Sequence, residues 1–177
     1  MMKSILIVLG IVAVLSSCKS GREKLVDSIS ADEKKLFADS TRMLNDTVAE
    51  EVLKSYKEFV EKYPADSLAP SCLFKAADLA NGMRRYKEAI DLYGQFREKF
   101  PDHRKSAAGL FLQAFIYDSN LHDKEKAKQL YSEFLQKYPT HDLAPSAKAS
   151  LDQINMGLSD EQLIKLFQAR SDSIANK

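Results

Sequence analysis

Residues 58–71 read EFVEKYPADSLAPS and residues 133–146 read EFLQKYPTHDLAPS, identical at nine of fourteen positions. A looser version, QFREKFPDHRKSAA, occupies residues 95–108. Their prolines, Pro64, Pro101 and Pro139, are 37 and 38 residues apart. Tyr56, Tyr93 and Tyr131 keep the same step, as do Phe59, Phe96 and Phe134, and Lys62, Lys99 and Lys137. Downstream, Leu73-Phe74 matches Leu110-Phe111 and Ala77 matches Ala114; one period earlier stands Leu36-Phe37, which implies a more diverged copy. A chain that repeats at this period folds as a stack of like units, each burying the face its neighbour exposes.

The letters follow helical spacing. Ala89, Tyr93, Phe96 and Phe100 fall within about 60° of one another on a helix, and Ala127, Tyr131, Phe134 and Tyr138 repeat the arrangement. Alanine lets a neighbouring helix approach while the aromatic rings fill the remaining gap. Proline then ends the helix, because it lacks an N–H and disfavours helical geometry in the residue before it. A second type of helix follows, with Ala77 or Ala114 at its closest approach. The spacing predicts helices over 31–44, 47–63, 68–81, 85–100, 105–119, 124–138, 142–155 and 160–174. Capping boxes at Ser30–Glu33, Thr47–Glu50 and Ser159–Gln162 start three of them. Gly82 and Gly157 are expected to end helices in the left-handed conformation. The expectation is an all-α array of about four helical hairpins, near 30–64, 67–101, 104–139 and 142–175, the last a diverged capping unit.

The N-terminus belongs to a different category. Lys3 precedes an apolar run from Ile5 to Leu15, too short to cross a bilayer, and Leu15-Ser16-Ser17-Cys18 closes it. That pattern reads as an export signal. The closing residues resemble the lipobox of bacterial lipoproteins, which implies cleavage before Cys18 and acylation of its sulfur and new amino group. Several acyl chains together hold a protein on a membrane where one would not. The competing reading is an ordinary signal peptide with a chance cysteine. On the lipobox reading, residues 1–17 are signal peptide, 18–29 are the lipidated cysteine and a tether, and 30–177 are the repeat domain. Lys19 follows the cysteine, which under enterobacterial sorting implies the outer membrane. Cys72 is the other cysteine, so no internal disulfide is expected. It aligns with Gly109 and Ala147, a position for a small packing residue rather than a nucleophile.

Through Ala89, Tyr93, Phe96, Lys99, Phe100, Pro101, Ala107 and Ala114, and again Ala127, Tyr131, Phe134, Lys137, Tyr138, Pro139, Ala144, Pro145 and Ala147, residues 30–155 resemble tetratricopeptide repeats. The closer resemblance is to the longer-period kind found in bacterial outer-membrane lipoproteins. It extends both to the lipoprotein of the β-barrel assembly machinery and to the periplasmic coordinator of the Tol–Pal system. The first normally has five repeats, against about four here; the second has an N-terminal coiled coil, whereas residues 19–46 show no sustained heptads. The resemblance implies a right-handed superhelix and a periplasmic scaffold that binds proteins or peptides in outer-membrane protein assembly. Coordination of cell-wall synthesis or Tol–Pal-type maintenance is the alternative, and an accessory subunit of an envelope enzyme a further one.

Nothing in the sequence carries a reaction. There is no Gly-rich phosphate loop, GxSxG, HExxH or CxxC. His103 and His141 fall in equivalent turns after the prolines and His122 in a helix–helix turn, with no metal-ligand spacing; solvent-exposed turn positions are expected. The net charge of +1, with no Lys/Arg run, offers no nucleic-acid surface. No catalytic residue, cofactor, metal or small-molecule substrate is expected. In tetratricopeptide arrays the first helix of each hairpin lines a concave groove. Steps of four and three residues place Phe37, Thr41 and Leu44 there, then Phe74, Asp78 and Asn81, then Phe111, Phe115 and Asp118. A phenylalanine in each unit would form a ladder for an extended or helical peptide. The competing outcome, commoner for an aromatic stripe at helical spacing, is that the rings pack against the next repeat. Lastly, Asp27-Ser28, Asp39-Ser40, Asp46-Thr47, Asp66-Ser67 and Asp172-Ser173 resemble the O-glycosylation acceptor of some Bacteroidetes, although such pairs also cap helices.

Overall fold

The structure, a computed structural model, describes residues 19–37 and 46–157 together with Gln162, Ile164, Lys165 and Gln168. Cys18, Thr41, Leu44, the Ser159–Gln162 cap and the side chain of Phe37 lie outside the described residues. Among those described, the chain forms seven α-helices and one π-helical turn, with no strand. They are α1 (Gly21–Phe37), α2 (Asp46–Lys62), α3 (Ala69–Gly82), α4 (Tyr86–Lys99), α5 (Ser106–Phe115) running into the π turn Ile116–Asn120, α6 (Lys124–Lys137) and α7 (Ala144–Met156). Each helix packs chiefly on the next, giving a linear array of antiparallel hairpins.

The repeated phrase encodes the joint between hairpins. Phe100 (φ −133°, ψ 56°) and Tyr138 (φ −132°, ψ 54°) both leave helical geometry one residue before proline. Two residues past each proline a side chain accepts the N–H that opens the next helix. Asp66 Oδ1 takes Leu68 N–H at 2.9 Å, His103 Nδ1 takes Lys105 N–H at 3.1 Å, and His141 Nδ1 takes Leu143 N–H at 3.1 Å. Pro70 and Pro145 then sit in the first turns of α3 and α7, where a missing N–H costs nothing.

The core repeats as the sequence implies. Ala89, Phe96, Ala127, Tyr131 and Phe134 are fully buried, and Tyr93 nearly so. Phe74 meets Tyr93 and Phe96 edge-on with centroids 5.4 and 5.0 Å apart. One repeat on, Phe111 meets Tyr131 and Phe134 at 5.7 and 5.8 Å. A polar tie crosses between hairpins: Gln113 Nε2 donates to the Ile90 carbonyl at 2.9 Å, while its Oε1 accepts from an Arg97 Nη at 2.8 Å.

The change of spacing from 37 to 38 has a local cause. Ala77 and Ala114 are 37 apart, whereas the turn residues Arg84 and His122 are 38 apart, so the extra residue falls between them. The π turn occupies that interval, closed by Leu121 N–H to the Ile116 carbonyl at 3.0 Å. A wider turn absorbs one residue without displacing α6.

Three expectations need correction. The first helix is expected over 31–44, but α1 starts at Gly21. The tether expected over 18–29 is therefore helical from residue 21. Its capping box is Ser20–Glu23, not Ser30–Glu33: Ser20 Oγ accepts Glu23 N–H at 3.2 Å and Glu23 Oε2 accepts Ser20 N–H at 2.8 Å. Ser30 lies in mid-helix. Finally, Gly157 (φ 64°) is left-handed as expected, but Gly82 is not; the left-handed residues of the other turns are Arg84 (φ 59°) and His122 (φ 55°).

Candidate functional site

The groove residues separate into three groups. Phe74 is 5% exposed and belongs to the core, gripped by Tyr93 and Phe96 and covered by the Lys105 ammonium 4.3 Å from its ring centre. The ladder reading fails there, because the offset from Ala77 turns this ring toward the second helix of its own hairpin. Phe111 is half-buried for the same reason.

Asp78 and Asp118 bind within the chain. Asp78 accepts the Tyr93 hydroxyl at 2.5 Å. Burial of its carboxyl raises its pKa, against the opposing effects of that hydroxyl and of Lys105. The same contact, with burial leading, drives the Tyr93 pKa well above the usual phenol range. Asp118 holds Lys124 at 2.5 Å. Neither is a free groove carboxylate.

Phe115 is different. It occupies the position of Asp78 one repeat on, is 43% exposed, and stacks on Phe111 at 6.5 Å with the planes 15° apart. Because phenylalanine stands where the aspartate would be, Tyr131 has no carboxylate at the position that serves Tyr93, although Asp118 and Ser150 lie close enough to shift its titration. Its hydroxyl is buried and without a hydrogen-bond partner, while Tyr56 and Tyr93 give theirs to Glu33 and Asp78 at 2.5 Å each. Burial first, and the Asp118 charge, push the Tyr131 pKa up to about 12, with Ser150 opposing. Among the six described candidates, the ones left without an internal tie are thus the exposed Phe115 and, in register with it, the half-buried Asn81.

Other features bound the chemistry. Cys72 is buried and its thiol pKa is pushed up by burial to about 11, so it is inert. His103 and His141 are half-buried caps rather than exposed turn residues, their rings edge-on to Phe96 at 5.3 Å and Phe134 at 5.7 Å. Among the described residues no cluster of His, Cys, Asp and Glu could hold a metal, and no helix is long and apolar enough to cross a membrane. A cleft of about 400 Å³ opens on the second-helix side between α2 and α4, with Lys57, Glu61, Glu88 and Lys99 around Leu73 and Leu92. Sequence reasoning had not placed it; its lining comes from two helices whose exposed faces look merely charged.

This geometry defines an all-α helical-hairpin repeat protein built for contact surfaces. A family model described as tetratricopeptide repeat matches residues 71–103 and 108–141, which are α3–α4 and α5–α6 with their proline turns. Those two hairpins are therefore similar to tetratricopeptide repeats, a protein-interaction module that is generally non-catalytic. A comparison with curated proteins finds no match.

Proposed function

We propose that this chain is a lipid-anchored periplasmic scaffold of the bacterial envelope that binds a protein or peptide at the Phe115 face, in the service of outer-membrane protein assembly. The observation that carries the binding face is an exposed phenylalanine on the helix that lines the groove: Phe115 stands where the preceding repeat has a carboxylate tied to Tyr93. The lipobox resemblance at Leu15–Cys18 supports the anchor, and the repeat subclass supports the envelope setting.

Two experiments test it. Cys18→Ala should abolish palmitate labelling and release the protein to the soluble fraction; attachment that survives a high-salt wash would refute the anchor. A photo-crosslinking residue at Phe115, activated in native membranes, should capture barrel-assembly components. Capture of Tol proteins or peptidoglycan enzymes would move the assignment to envelope coordination. Crosslinks only from a probe in the α2–α4 cleft would move the binding face to the second-helix side.

A further inference from the structure

We propose that the edge of the array made by its three proline turns rests on the lipid surface, so that the helices stand on the membrane rather than hang from a slack tether. This rests on the reading of Cys18 as the acylated residue.

The first observation is the length of the leash. Only Lys19 and Ser20 separate Cys18 from the first residue of α1, so the anchor lies within about 11 Å of Gly21 at 3.8 Å per residue. The second is where Gly21 is held. A Cβ on it would lie 3.3 Å from the Tyr63 hydroxyl, and the next residue, Arg22, forks onto Asp66 through Nε at 2.5 Å and an Nη at 3.1 Å. The α1 N-terminus is thus fixed against the first proline turn. Antiparallel packing puts the turns at Pro64, Pro101 and Pro139 at that same end of the helices, and the turns at Arg84 and His122 at the other.

The anchored end carries Lys-aromatic-Pro three times, as Lys62-Tyr63-Pro64, Lys99-Phe100-Pro101 and Lys137-Tyr138-Pro139. The three rings are half-buried, the three prolines exposed, and Leu68 is 38% exposed. Amphipathic rings sit at the headgroup level, and lysines extend their stems along apolar surface with the ammonium in water. Asp102 and Asp142, exposed in the same turns, offset part of the positive charge. The contact therefore depends on rings and anchor rather than on anionic lipid, and salt should not release it.

The absence of native tryptophan makes the test direct. Single tryptophans replace Ala65 and Thr140 at the anchored end, and Lys87 and Glu125 at the far end; all four positions are exposed. Each full-length, acylated variant is reconstituted in phosphatidylcholine vesicles with brominated acyl chains, and circular dichroism confirms that it is folded. Ala65→Trp should lose fluorescence strongly and Thr140→Trp to a lesser degree, equally at low and high salt. Lys87→Trp and Glu125→Trp should lose none. Equal quenching at both ends, or none at Ala65, in protein whose intact mass shows the acyl chains would overturn this orientation alone. An intact mass showing an unmodified Cys18 would overturn the anchor and the orientation together.

Discussion

Replacing tyrosine by phenylalanine at two equivalent positions should shift stability in opposite directions. In Tyr93→Phe the ring stays among Phe74 and its neighbours, and the lost group is a hydroxyl donating to the Asp78 carboxylate at 2.5 Å. A hydrogen bond to a charged group contributes about 1.5–3 kcal/mol. Asp78 is exposed enough to recover water, so the cost should fall near the lower end, about 1.5 kcal/mol. In Tyr131→Phe the lost hydroxyl is buried and unpartnered. Leaving such a group unsatisfied costs about 1–3 kcal/mol, so removing it should be neutral or stabilise by about 1 kcal/mol. Urea titration followed by far-ultraviolet circular dichroism reads both, provided m is unchanged. Phe115→Asp supplies the carboxylate that the third tyrosine lacks, so in that background Tyr131→Phe should become destabilising, a coupling that a double-mutant cycle isolates. Equal destabilisation by the two single substitutions, or no coupling to residue 115, would refute the account of the tyrosine ties.

Other expectations follow from the same contacts. Phe96→Ala, which removes a fully buried ring, should cost about 3–5 kcal/mol, whereas Phe115→Ala should stay within about 1 kcal/mol in the same titration. His103→Ala should cost about 1 kcal/mol through loss of the cap on Lys105 N–H, against about 0.5 or less for the exposed Arg104→Ala. The pKa of Asp66 is lowered to about 2 by the Arg22 hydrogen bonds and the Leu68 N–H. A depressed carboxylate stabilises fully above its unfolded pKa of about 4, and that contribution fades as pH falls toward 2. Melting temperatures across that window should therefore fall less steeply for Asp66→Asn than for the wild type.

The hairpins were legible because the residues that build them act locally: proline stops a helix whatever surrounds it, and an alanine-aromatic stripe at helical spacing has one way to pack. The start of α1 was not, although its capping box at Ser20–Glu23 was readable. The decisive contact, Arg22 with Asp66, spans 44 residues and has no periodic signature. The groove failed for a related reason. Steps of four and three identify a common helical face, but Phe74 and Phe111 lie where that face turns toward the partner helix, and only packing distinguishes the two sides. The histidines were placed in turns correctly, yet their capping role shows only in the alignment of His103 and His141 with Asp66, two residue types that share little except an acceptor at the same reach.

The repeats thus share an apolar core and differ in how they tie their polar groups, and the difference assigns each hairpin its place. Tyr56 is met by Glu33, which also takes Lys75 of α3 at 2.7 Å. Tyr93 is met by Asp78 from its own hairpin. Tyr131 makes no such tie, and among the described residues its hairpin alone carries the extra residue of the π turn and an exposed phenylalanine. A purely repeated array would stack equally well in any order or extend without limit, because every interface would match every other. Here α1 fits only against α2 and α3, through Arg22–Asp66 and Glu33–Lys75. The third hairpin, where Phe115 replaces the carboxylate that its neighbour ties to a tyrosine, has its equivalent position exposed.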